Sequence, residues 1–130
     1  MKVYSGIGLL VAGIAIGAAA VSGPHAQNKG PGAYAIIDLS QINDRDSFTN
    51  QLLPKAVPAI LGAGGKFITR TEKITAFDGA PPQRFVVIAF DDVDKAKSWY
   101  SSAAWKEVEA MRVKFTKSRL FVAEAEGATP

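Results

Sequence analysis

The sequence contains no cysteine and a single histidine, His25. The first absence excludes a disulfide framework, lipid attachment through cysteine and any thiolate nucleophile. The second gains force from where His25 stands, beside the processing site argued below, so that a mature chain would have neither residue. Zinc sites built on imidazole or thiolate, histidine-based triads and haem held by an axial histidine or cysteine then fall away. No acidic loop has the spacing of a calcium-binding hand, and no residue pattern calls for a metal or cofactor. Charge is modest as well, +3 over 130 residues, too little to expect a nucleic-acid partner. With 48% hydrophobic and 21% charged residues, the composition is that of one globular domain.

Only one long apolar run is present. Lys2 precedes an uncharged stretch from Ile7 to Val21, the layout of a signal peptide's basic and hydrophobic regions. As a helix it would cover about 22 Å, short of the roughly 30 Å hydrocarbon core of a bilayer, so a stable membrane span after processing is not expected. Cleavage fits after Ser22, with small Ala20 two positions earlier, or after Ala26, where polar Gln27-Asn28-Lys29 begins. The boundary is set at Ala26, an uncleaved anchor being the alternative. The expected organisation is therefore a signal peptide over 1–26, a linker over 27–32, a domain over 33–127 and a tail over 128–130, with export to the periplasm. Loss of Lys2 lowers the formal charge from +3 to +2.

Past Gly30-Pro31-Gly32, the run Ala33 to Leu39 is short, apolar and bounded by polar residues, as a strand requires. Asp44 or Asp46 is placed to cap a helix with Phe48, Leu52, Leu53, Val57, Ile60 and Leu61 at three- and four-residue spacing. Pro54 and Pro58 predict a kink or two pieces within it. Gly62 and Gly64-Gly65 suit its end. A second strand is expected over Lys66 to Thr71, continuing or pairing again through Ile74 to Phe77, and a central one over Arg84 to Phe90. Asp91, Asp92 and Asp94 suit the start of a second helical region that breaks at Ser101-Ser102, and Leu120 to Ala123 forms the last strand. Strand, helix, strand, strand, helix, strand is the order of an α+β, ferredoxin-like βαββαβ domain, with an antiparallel sheet and both helices on one face. The strands through Ile36 and Phe85 are apolar on both faces, so the second face is expected to meet another copy of the chain.

Several local features together resemble the bacterial family catalogued as domain of unknown function thirteen-thirty, of the dimeric α+β barrel superfamily. They run in order from Tyr34 to Gly127: Val57-Pro58, then Gly64-Gly65-Lys66-Phe67 with Arg70, then Arg84 to Ile88 with Phe90, then Ala96, Trp99-Tyr100, Ser102, Arg112 and Glu124. The resemblance implies the barrel fold and a homodimer, and no particular activity. Three positions depart from the family's tendencies: Thr71-Glu72 stands in place of glycines, Ala89 where a glutamate is common, and Trp105 where a tyrosine is common.

The candidate ligand-binding residues are Tyr34, Arg70, Arg84, Trp99, Tyr100 and Trp105. The aromatics Trp99, Tyr100 and Trp105 offer apolar walls with polar tips, although packing in the core or at a dimer interface is the favoured account of them. Arg70 and Arg84 suit two-pronged contact with a carboxylate, or else ion pairs with Asp38, Glu72 or Glu124. Tyr34, Tyr100, Asp38 and Glu124 are the proton-transfer groups near the sheet, and none is singled out as catalytic. Arg112, Lys114, Lys117 and Arg119 are explained by the helix dipole. The leading expectation is an exported homodimer binding a small organic molecule between helices and sheet. The alternatives are a cofactor-free isomerase or monooxygenase-like enzyme and a non-catalytic periplasmic interaction protein, and whether the chain is an enzyme stays open.

Overall fold

The computed structural model describes residues 30–127. The expected signal peptide, residues 27–29 of the linker and the tail over 128–130 lie outside the described residues. Strand β1 (Ala33–Ile42) is central, and its odd-numbered residues Ala33, Ala35, Ile37 and Leu39 are buried while the even-numbered ones between them are half-buried. That alternation follows from the two-residue period of a strand and gives the sheet an inner and an outer face.

A continuous helical run, α1, follows as an α-helical turn (Arg45–Ser47), a π-helical stretch (Phe48–Leu52) and an α-helix (Leu53–Gly62). Asp44 caps it, its carboxylate accepting from the Ser47 amide at 3.0 Å. The expected break at Pro54 takes the form of a widened turn, in which the Leu53 amide donates to the Phe48 carbonyl. Widening makes room for a proline ring that would otherwise press on the carbonyl four residues earlier. Gly64 adopts a φ of +89° just past α1, a conformation that costs glycine little.

Strands β2 (Lys66–Thr71) and β3 (Arg84–Phe90) come next, then α2 (Val93–Ser101), α3 (Ala103–Phe115) and β4 (Thr116–Glu124). The break expected at Ser101-Ser102 is a cap: the Ser102 hydroxyl accepts from the Trp105 amide at 3.2 Å and starts α3. The strand expected through Ile74 to Phe77 does not form. Residues 72–83 make an irregular loop, pinned at its end by two 2.8 Å bonds, from the Gln83 amide to the Leu39 carbonyl and from the Ile42 amide to the Gln83 side chain. Phe77, in the middle of it, lies in water at 99% exposure.

The sheet order is β2-β3-β1-β4, and every pairing is antiparallel. The helices cover one face of this ferredoxin-like domain. Register places Ile37 opposite Val86 and Leu120 on the inner face, and Ile36 opposite Val87 and Phe121 on the outer face. The core fills the space between helices and inner face, with Trp99, Trp105, Val108, Ile88 and Phe90 almost wholly buried. Among the described residues no helix is long and apolar enough to cross a membrane.

Gly65 shows how closely α1 meets the sheet. A methyl group there would lie 2.8 Å from the Ile60 side chain, 2.9 Å from that of Ile88 and 3.0 Å from the Ile60 carbonyl oxygen. Gly65→Ala is expected to lose about 1–3 kcal/mol of stability by overpacking, whereas Gly62→Ala, with no atom within 4 Å of the added carbon, is expected to be neutral or slightly stabilising. Urea unfolding of the two variants checks the contrast.

Candidate functional site

The inner face and the helices do not close completely against each other. They leave a narrow cleft that is open to solvent at its mouth. Ile37, Leu39 and Val86 form its floor, Phe48, Leu52, Ala56 and Ile60 its α1 wall, and Trp105 and Val108 its α3 wall. Its charged lining residues are three arginines: Arg70 from β2, Arg84 from β3 and Arg112 from α3. The interior is apolar because each lining strand contributes alternate residues and each helix one stripe.

The three guanidinium groups are held differently. Arg112 is tied down on several sides: its Nε donates to Glu109 at 2.9 Å, a second nitrogen reaches the same carboxylate, and a third donates to the Ser118 hydroxyl at 2.8 Å. Glu109 also accepts from the Trp105 indole and the Tyr100 hydroxyl, each at 3.1 Å. Burial pushes the Glu109 carboxyl up, but the Arg112 contacts with the Tyr100 and Trp105 hydrogen bonds outweigh it and hold the group below its ordinary value. The same carboxylate raises the Tyr100 hydroxyl.

Arg84 lies over the Phe48 ring, 5.6 Å from its centroid, and makes one contact of 3.4 Å with Glu72. Glu72 is itself engaged in two 2.8 Å bonds with Arg45; hydrogen bonding to Arg45 is the chief reason its carboxyl lies below the ordinary value. Arg70 is exposed, stacks 4.1 Å from the Phe67 ring centroid, and has no carboxylate partner among the described residues.

Of the six residues expected to bind a ligand, the cleft brings together Arg70, Arg84 and Trp105. Tyr34 is outside it: its neighbours across the sheet are Ala89 and Ala123, on the outer face. Trp99 is core, wedged between Phe90 and Trp105 with ring centroids 5.4 and 4.4 Å away. Its indole nitrogen is buried without a hydrogen-bond partner among the described residues, a cost of about 1–3 kcal/mol that the ring packing offsets. Tyr100 is exposed and reaches the cleft only through Glu109. Arg112 and Glu109 are the residues that sequence reasoning passed over. The signal was their three-residue spacing on one helix, but Arg112 read equally well as a cation at a helix end. The ion pair considered for Arg84 is present, with Glu72 as partner. Among the described residues no three His, Cys, Asp or Glu side chains are grouped to hold a metal.

The model of a family defined as a domain of unknown function, DUF1330, matches residues 32–126. The chain belongs to that family. No curated protein matches it significantly. A protein of unknown function from Rhodopseudomonas palustris has a similar structure, at 11% identity and a TM-score of 0.56 over 78% of this chain and 87% of that one. Its methylated form gives 10% identity and a TM-score of 0.61 over 78% and 85%. A dimeric protein of unknown function with a ferredoxin-like fold, from Bacteroides fragilis, gives 12% identity and a TM-score of 0.48 over 72% and 95%. At these identities the likeness is one of fold. Within the DUF1330 domain, Glu72 supplies the carboxylate that Arg45 and Arg84 share, and Ala89 falls on the outer face, away from the cleft lining.

Because the Glu109 carboxyl titrates lower in the folded chain than in the unfolded one, its contribution to stability is fully present above the ordinary value of 4.5 and is lost as pH falls through the folded value. The stability advantage of the wild type over Glu109→Gln is accordingly expected to be larger at about pH 7 than at about pH 3. Urea midpoints at the two pH values measure it, and an advantage that grows on acidification would contradict the assignment.

Proposed function

We propose that this DUF1330 protein is exported and works as a homodimer whose helix-to-sheet cleft binds a small organic molecule. The observation that carries the reading is the cleft itself, an apolar interior with a few polar groups converging at its mouth, the usual composition of a small-molecule site. Binding is favoured over acid–base chemistry by the directions of the resolved shifts. Glu72 and Glu109 move down and Tyr100 moves up, whereas a proton-transfer group at neutral pH needs a value displaced toward neutrality.

Pairing of two copies is supported by the outer face. Ile36, Phe85 and Val87 lie side by side there with Phe121, which is 41% exposed. An apolar patch on a sheet face is normally covered, and a second copy presenting the same patch is the simplest cover. Export rests on Lys2 and the Ile7 to Val21 run, together with the lack of cysteine.

Native mass spectrometry of the protein purified from the periplasm tests these parts together. The expected species is a dimer of chains beginning at Gln27, carrying a small organic adduct or taking one up on titration. Phe121→Glu is expected to shift it to monomer while leaving the cleft intact. A wild-type monomer would refute the pairing, and a protein that takes up no small organic molecule would refute the binding reading.

A further inference from the structure

Charge at the mouth of the cleft is unevenly spent. Arg112 is matched by Glu109 in a two-point contact and is further anchored by Ser118. Glu72 serves two cations at once, and its better contacts go to Arg45, leaving Arg84 with a single 3.4 Å approach. Arg70 has no carboxylate at all among the described residues. The uncompensated positive charge therefore lies on the sheet side of the mouth, at Arg70 and Arg84.

These two residues are also neighbours. Arg70 sits opposite Val86 in the β2–β3 ladder, and Arg84 is two residues from Val86 on the same strand, hence on the same face. That is the diagonal relation across an antiparallel pair, in which backbones lie about 7–8 Å apart and long side chains are within reach of one another. Each guanidinium rests on an aromatic ring, Phe67 under Arg70 and Phe48 under Arg84. Stacking of this kind restrains the planar fork in advance while leaving its edge free to donate. Behind the pair, the walls are Leu52, Ala56, Ile60 and Val108, so a second charge carried deep into the cleft would find no partner and would be costly to desolvate.

From this arrangement, and resting on the cleft-binding reading above, we infer that the ligand class is an amphipathic monocarboxylic acid. Its carboxylate lies between Arg70 and Arg84, and its apolar body points inward along α1 and α3. Arg112 is a positioning residue in this arrangement, fixing α3 and Trp105 through Glu109 instead of meeting the carboxylate.

The probes are hexanoate, its neutral isostere hexanamide and the dicarboxylate adipate, titrated into the purified protein by calorimetry, with methyl resonances of Leu52, Ile60 and Val108 as a second readout. Hexanoate is expected to shift the cleft methyls and to bind about tenfold or more tightly than hexanamide or adipate, as the loss of one charge-assisted contact or the burial of a second charge requires. Arg70→Gln, a change at an exposed position, is expected to remove most of the preference for hexanoate over hexanamide by weakening hexanoate far more than hexanamide. Equal binding of hexanoate and hexanamide at the cleft methyls would overturn the carboxylate assignment while leaving the cleft-binding reading standing. A hexanoate preference that survives in Arg70→Gln would overturn the assigned clamp. Failure of all three probes to move the cleft methyls would overturn the class, and the cleft-binding reading falls separately if the native protein also takes up no other small organic molecule.

Discussion

The strict alternation of β1, and of β3 beside it, is the constraint on which the rest of the domain depends. Odd residues of β1 and even residues of β3 supply the cleft floor and the core, while the residues between them build the outer face. A slip of β1 by one residue along β3 would exchange the two sets of β1, carrying Ile37 and Leu39 out and Ile36 and Asp38 in. Both faces being apolar, hydrophobicity alone does not forbid the slip. What forbids it is what the inner face must fit: the Trp99–Trp105–Phe90 ring cluster, and the close approach of Gly65 to Ile60 and Ile88.

A second level of organisation is electrostatic. The domain keeps its charged groups at the margin of an apolar cavity and neutralises them unequally. Glu109 gathers hydrogen bonds from three side chains and links α2 to α3. Glu72 links the start of α1 to the end of β2 and to β3. Isolated surface ion pairs contribute little to stability, so the importance of these two carboxylates lies in the side chains they orient: Glu72 holds Arg45 and Arg84 over Phe48, and Glu109 fixes Arg112 and Trp105.

Much of the fold was legible in the sequence because its signals are local. Arg84 to Phe90 is continuous and apolar, Asp44 and Ser102 stand where caps are needed, and the order of elements limits the topology to few choices. The site was legible in part. Arg70, Arg84 and Trp105 announce themselves by residue type, yet their convergence is a property of register and helix packing that no short window contains. Tyr34 was misplaced for a definite reason: in Ala33 to Leu39 both alternating sets are apolar, so the pattern fixes two faces without saying which is inward. Arg112 was undervalued because a cation near a helix end has an adequate local explanation, and Ser118, which completes its anchoring, lies on the next strand. Ile74 to Phe77 has strand-forming residues, but tertiary placement overrides that preference.

The loop over 72–83 has its two ends fastened by separate means, Glu72 to Arg45 at one and Gln83 to the β1 backbone at the other. Its middle, with Phe77 in water, takes no part in either fastening. Such a segment is decoupled from the sheet it connects: doubling its length would cost only about 0.6 kcal/mol in closure entropy. The domain thus possesses a built-in point of attachment, where a label, an affinity sequence or an inserted peptide can be carried without loosening either fastening.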